Sequence, residues 1–207
     1  MDKNNFSLAK GDAMNYPNKS IVLENEIVES KAVRFANRGM DFEKAINAAN
    51  TFYDDNKIAI ITKRPTPIHI VKVDYKDNCR IKDAYFEKQS TADYNGVYKG
   101  RYIDFECKET KSKTSLSFHN IAIHQIKHLQ KVIFHGGIAF FLIYFITLDE
   151  IYLLDAKIII DRYLADERKS ITLEDIRQNG YLIEQGYMPR IKYLDVVDKA
   201  YFNEKNI

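Results

Sequence analysis

Residues 138–146 read Ile-Ala-Phe-Phe-Leu-Ile-Tyr-Phe-Ile, the most hydrophobic stretch of the 207-residue chain. A run this apolar must be taken out of water. It is too short to cross a bilayer, which needs roughly 20 apolar residues. Gly136-Gly137 precedes it and Thr147-Leu148-Asp149-Glu150 follows it. It therefore reads as a strand buried on both faces. Residues 150–154 read as its hairpin partner.

Helical periodicity surrounds this strand. Phe42, Ile46 and Ala49 predict an amphipathic helix from about residue 37 to 53, with Glu43 on the border of its apolar face. Ile121, Ala122, Ile126, Leu129, Val132 and Ile133 predict a second helix over 120–135, ended by the glycine pair. Further helical pieces are expected over 156–164 and over 173–178, the latter capped by Thr172 and stopped by Gly180, and in the tail over 194–201. Residues 58–62 and 68–75 read as strands on either side of the proline-stiffened basic turn Lys63-Arg64-Pro65-Thr66-Pro67. Asn95-Gly96 is a strong turn signal. Strands interleaved with helices indicate one α/β or α+β domain. Residues 1–36 are rich in Asn, Lys, Asp and Ser, show little periodicity and are expected to form a flexible arm.

The chemistry-bearing segment is Thr91-Ala92-Asp93, followed by Asp104-Phe105-Glu106-Cys107-Lys108. Alternate side chains of a strand share a face, so Asp104, Glu106 and Lys108 point one way. Ile103, Phe105 and Cys107 point the other way, into an apolar core. Two carboxylates, Asp93 and Glu106, can hold a hard divalent cation through oxygen. Lys108 can neutralise charge that builds up on a phosphate. The competing reading is an amphipathic edge strand with a solvated polar face. Thr91 stands two residues before Asp93, so in extended chain its hydroxyl faces the same way. Gln125 lies at the edge of its helix's apolar face and needs a polar partner. His124 and His128 are four apart, the spacing of two metal ligands on one helix. No HExxH motif and no nearby cysteine supports a zinc site, so they are read as polar flank residues near DNA.

Net charge is only +2, with 31 basic and 29 acidic residues, so a nucleic-acid surface has to come from local clustering. Lys63, Arg64, Lys99, Arg101, Lys111 and Lys113 flank the acidic centre and interleave with tyrosines, a pattern suited to phosphate contact and base stacking. The two cysteines, Cys79 and Cys107, have no zinc spacing and suit a reducing compartment. The N-terminus is polar and carries no leader-like apolar run, so a cytoplasmic location without membrane attachment is expected.

From residue 37 onward the chain resembles the RecU family of Holliday junction resolvases. The resemblance rests on Asn37-Arg38-Gly39-Met40, Lys63-Arg64-Pro65-Thr66-Pro67, Ala84-Tyr85-Phe86, the run over 93–111, His124-Gln125 and Gly186-Tyr187-Met188-Pro189-Arg190-Ile191. It implies a restriction-endonuclease-like fold with a mixed central sheet flanked by helices, over residues 37–207. A protruding stalk is implied at about 76–92, whose Tyr85 and Phe86 wedge into the open centre of a four-way junction. It implies Mg²⁺, replaceable by Mn²⁺, ligated by Thr91, Asp93, Glu106 and Gln125. Lys108 is implied as transition-state stabiliser and Glu43 as a helix acid near the metal. The implied assembly is a two-fold homodimer that cuts opposed strands symmetrically, with the strand-exchange recombinase and the branch-migration helicase as further partners. Two alternatives stand beside this: a junction-binding recombination modulator without cleavage, and a restriction-type nuclease acting on linear duplex. The family's Ser-Thr-Thr-Asp is Ser90-Thr91-Ala92-Asp93 here, which spares the implied ligands. Cys107 replaces a residue that is usually alanine.

Overall fold

The apolar run becomes β7 (Ile138–Phe145), and all eight of its residues are buried. The computed structural model describes residues 42–75, 79–86, 91–165 and 169–202. The expected arm and Asn37-Arg38-Gly39-Met40 lie outside the described residues. β7 sits inside a six-stranded sheet with β1 (Ala59–Lys63), β4 (Tyr94–Tyr98), β5 (Arg101–Thr110), β8 (Glu150–Asp155) and β10 (Tyr181–Leu182), in the order β1-β4-β5-β7-β8-β10. β5 and β7 run parallel, and every other neighbouring pair in this sheet is antiparallel. The sheet is therefore mixed. A parallel pair needs a crossover, and α2 (Ile123–Phe134) lies in the connection between β5 and β7.

Alternation along β7 builds two cores. Phe140 and Leu142 pack with α1 (Phe42–Asp55) through Phe42, Ala45, Ile46, Ala49 and Tyr53. Phe141, Ile143 and Phe145 pack on the opposite face with Ile126, Leu129 and Val132 of α2 and with Ile159 and Ile160 of α3 (Ala156–Ala165). On the α1 side three rings stack across adjacent strands. Tyr94 lies 5.1 Å from Phe105, and Phe105 lies 4.7 Å from Phe140, with interplanar angles of 11° and 9°. Burying one such ring contributes roughly 1.5–3 kcal/mol, so this column anchors β4, β5 and β7 together.

β5 lies between β4 and β7 as far as Phe105 and keeps only β7 beyond it, so burial rather than position overturns the solvated reading of the acidic motif. Ile103 and Phe105 face the α1 core as the alternation predicts. Asp104 and Glu106 face α2, and both are fully buried rather than solvated. The expected helices over 156–164, 173–178 and 194–201 correspond to α3, to α4 (Leu173–Asn179) and to α5 (Tyr193–Val197) with its π-helical continuation Asp198–Phe202. Thr172 caps α4 by accepting a hydrogen bond from the Asp175 N–H at 3.1 Å. A further two-stranded sheet joins β6 (Ser115–Ser117) to β9 (Ser170–Thr172).

Asn95-Gly96 does not turn the chain. Both residues lie inside β4, and the reversal falls at Lys99 and Gly100, whose φ angles are 47° and 75°. Positive φ at both central residues is the signature of a two-residue hairpin turn. Gly96 answers a different demand. A Cβ there would stand 2.0 Å from the Ile60 carbonyl oxygen of β1. Gly96→Ala is expected to push β1 off β4 and to cost about 2–3 kcal/mol in urea denaturation; an unchanged midpoint would refute this account.

A separate antiparallel ribbon leaves the sheet after β1. β2 (Ile68–Asp74) pairs with β3 (Arg80–Phe86), from Ile68 opposite Phe86 to Asp74 opposite Arg80. The ribbon's strands, Ile68–Asp74 and Arg80–Phe86, overlap in part the residues 76–92 at which a stalk is expected. β2 is rich in apolar residues like a core strand, yet Ile68, Ile70 and Val71 are exposed, because among the described residues no further layer covers the ribbon. Tyr85 and Phe86 are exposed at the ribbon's root rather than at its turn, and the Tyr85 ring stacks on His69 at 5.0 Å.

Candidate active site

The site forms where β4 stops and β5 continues. Tyr94 pairs with Phe105, so Asp93 arrives beside Glu106, and residues 106–110 of β5 have no β4 partner. The Asp93 carboxylate takes the missing ladder position: its Oδ2 accepts from the Cys107 N–H at 2.9 Å. On the α2 face, Gln125 Nε2 donates to Glu106 Oε1 at 2.6 Å. The other end of that amide, Oε1, accepts from the Ala122 N–H at 3.0 Å and closes the first turn of α2. Lys108 Nζ lies 2.7 Å from the same Glu106 Oε1. The remaining oxygen, Glu106 Oε2, is buried with no protein partner.

The electrostatics follow from this crowding. Burial, followed by the neighbouring Asp93 charge, pushes the Glu106 carboxyl up to about 7, against the opposing pull of Lys108. A buried carboxylate with an orphaned oxygen, beside a second, half-buried one, fits a cation that would relieve both desolvation and repulsion. Among the described residues no group of three or more His, Cys, Asp or Glu is arranged to hold a metal. A pair of carboxylates suits a hard ion that keeps several of its waters better than a zinc ion.

On the other side of β5 a cleft of about 230 Å³ opens between Glu43, Lys63, Asp93, Cys107 and Glu109. Glu43 does reach the neighbourhood of Asp93, where it pairs with Lys63 at 2.5 Å. Thr91 stands half-buried two residues before Asp93. Gln125 reaches Glu106 through its nitrogen, so its oxygen faces its own helix. Lys111 and Lys113 are exposed just beyond the site end of β5. Lys99 and Arg101 do not join them. They lie at the turn end of β5, with Lys99 on Asp198 at 2.6 Å and Arg101 donating to the Gly136 carbonyl at 2.8 Å. Five residues of strand separate Arg101 from Glu106, a distance of roughly 17 Å.

Arg64 is also engaged. Its Nη2 donates to Asp104 Oδ2 at 2.7 Å. Asp104 receives Tyr102 and His128 on the same oxygen. Sequence reasoning had placed Asp104 on the acidic face and His128 on the helix flank, without joining them. The available signal was their spacing: Asp104 lies two residues before Glu106 on one strand, and His128 lies three after Gln125 on the facing helix.

A family model described as Recombination protein U matches residues 37–199. The chain belongs to the RecU family. Curated RecU relatives named "Holliday junction resolvase RecU" include a Bacillus cereus (strain B4264) protein, 51% identical over 178 residues, which cover 84% of this chain and 89% of the relative. A Bacillus thuringiensis (strain Al Hakam) protein of the same name is 52% identical over 174 residues, covering 82% of this chain and 87% of the relative. The RecU match takes in all the residues gathered here, from Glu43 to His128.

Proposed function

We propose that this chain is a Holliday junction resolvase: a Mg²⁺-dependent endonuclease that cuts two opposed strands of a four-way DNA junction in recombination and repair. The observation that carries the reading is the Asp93–Glu106–Lys108–Gln125 constellation, with Glu106 held at about 7 by burial and by Asp93. The names of the RecU relatives supply the substrate class. Asp93 and Glu106 would hold the cation, with Thr91 beside them and Mn²⁺ able to stand in. The cation supplies Lewis-acid polarisation of the scissile phosphate and a more acidic water. Gln125 orients Glu106 through its hydrogen bond. Lys108 meets the charge that develops on the phosphate. Lys63, Lys111 and Lys113 offer contacts to neighbouring phosphates.

The exposed rings of Tyr85 and Phe86 offer stacking faces for bases left open at a branch point. A two-fold homodimer would present one site to each of two symmetry-related strands, which accounts for paired incisions. A DNA substrate suits a cytoplasmic protein that would work beside a strand-exchange recombinase and a branch-migration helicase. Among the described residues no helix is long and apolar enough to cross a membrane.

One assay tests the reading. A synthetic four-way junction and a linear duplex of the same arm sequence are incubated with Mg²⁺ or with chelator. Paired nicks near the crossover are expected only in the junction and only with Mg²⁺. Phe86→Ala is expected to lower the preference for junction by about 10-fold, the scale of one lost stacking contact. Binding without nicking would favour a recombination modulator. Equal cutting of duplex and junction would favour a restriction-type nuclease.

A further inference from the structure

We infer that Arg64, Asp104 and His128 form a joint that holds the root of the β2–β3 ribbon in register with the metal site, and so determines which phosphate beside the branch point is cut. The inference rests on the junction-cutting reading above.

Asp104 is 0% exposed, and its Oδ2 alone receives three donors. Arg64 Nη2 donates at 2.7 Å, Tyr102 Oη at 2.8 Å and His128 Nε2 at 2.7 Å. A buried carboxylate depends on such donors, because removing one leaves its charge undercompensated. The donors come from three parts of the fold: the exit from β1, the start of β5 and the middle of α2. One carboxylate thus pulls together three segments that the sequence keeps far apart.

Arg64 is where the chain leaves the sheet for the ribbon. Its main-chain N–H donates to the Asp93 carbonyl at 2.7 Å, while its side chain reaches Asp104. It is tied by backbone to one residue of the metal site and by side chain to the strand that carries the other. Pro65 and Pro67 restrict the connector that follows, since each fixes its own φ, and Ile68 already belongs to β2. The returning leg leads into Thr91 and Asp93. The leading leg thus starts one short connector from a residue bonded to Asp93.

His128 completes the frame. α2 is fastened to β5 twice, by Gln125 to Glu106 and by His128 to Asp104. A ribbon held this way cannot shift along a bound junction without dragging β5 or breaking the Arg64–Asp104 pair. Arg64 already has its Nη2 on Tyr102 and Asp104, and its Nε is buried. That suits a positioning residue better than a phosphate contact.

The test maps cut positions at nucleotide resolution on a fixed four-way junction, for the parent protein, Asp104→Asn, Arg64→Gln and the double variant. Metal-free junction binding is expected within about 2-fold of the parent, with turnover about 10-fold lower, the scale of one lost charge-assisted hydrogen bond. The decisive readout is position. The single variants are expected to spread incision over adjacent phosphates, and the double variant to be no worse than the poorer single one, because the two residues act through one contact. Arg64→Lys is expected to restore a single cut position in part. A slower but sharply positioned cut, or additive losses in the double variant, would overturn the joint. If Asp104→Asn does not fold, Arg64→Gln decides alone, since the Arg64 side chain is 25% exposed. A parent protein that fails to cut the junction would instead overturn the reading of function.

Discussion

Glu106→Gln protein is expected to lose junction cleavage by about 10³-fold or more, and at pH 8 in chelator to melt above the parent. The first effect follows from removing one of the two charges that would hold the cation and polarise the phosphate. The second follows from the sign of the shift. The folded carboxyl titrates at about 7, above its ordinary 4.5, because it is buried and stands beside Asp93. A group raised in this way contributes stability that is complete below about pH 4.5 and is lost as pH rises through about 7. At pH 8 the parent therefore folds around an ionised, desolvated carboxylate that Lys108 and the Gln125 amide offset only in part. Glutamine keeps the shape and can still accept from Gln125, but it carries no charge. A gain of about 3–6 °C is expected at pH 8, shrinking to nothing near pH 4.5, where the parent's carboxyl is protonated as well. Added Mg²⁺ is expected to raise the melting temperature of the parent and not that of the variant, because the variant lacks one of the two carboxylates proposed to hold it. Thermal melts at the two pH values, with and without the cation, check all three statements. A variant no more stable than the parent at pH 8 would refute the crowded-carboxylate description.

Lys108→Met is expected to lower single-turnover cleavage by about 10²–10³-fold while leaving junction binding within about 3-fold. Methionine keeps most of the apolar stem, so the change isolates the ammonium group. Lys108 Nζ lies 2.7 Å from Glu106 Oε1, and its charge works against the forces that raise the Glu106 carboxyl. Its loss should therefore move the acidic limb of the pH–rate profile to higher pH as well as lower the plateau. A side chain that only contacted DNA would weaken binding and cleavage in equal measure and leave the profile in place. Gel-shift titration without metal, set beside cleavage rates across pH 6–9, separates the two.

What the sequence disclosed was whatever is periodic and local. The uninterrupted apolar run of β7, the two-residue alternation of β5 and the seam of α2 each follow from side chains that repeat within one element. The pairing of Asp93 with Glu106 was legible because a single hairpin joins them. Features set by distant backbone were not. Asn95-Gly96 carries the dipeptide of a turn, but Gly96 is required by the Ile60 carbonyl of a different strand. The burial of Asp104 depends on donors from two distant segments, Arg64 and His128, as well as on its strand neighbour Tyr102. Lys99 and Arg101 stand close to the acidic motif in sequence, yet a strand is rigid and extended, and so carries them to its far end. Ile68, Ile70, Val71 and Val73 mark β2 as a strand, but not that it pairs only with β3, outside the six-stranded sheet, among the described residues.

β5 outlasts β4, and that mismatch has a consequence beyond chemistry. Among the described residues no strand pairs with the β4 side of residues 106–110. A bare stretch of sheet edge is an invitation to self-association, because another chain can continue the ladder. Here Asp93 takes up the Cys107 N–H, and Lys108 and Glu109 carry charge along the same margin. The residues read as a cutting apparatus thus also act as gatekeepers of the edge. Substitutions that neutralise them can make the protein aggregate for reasons unrelated to DNA.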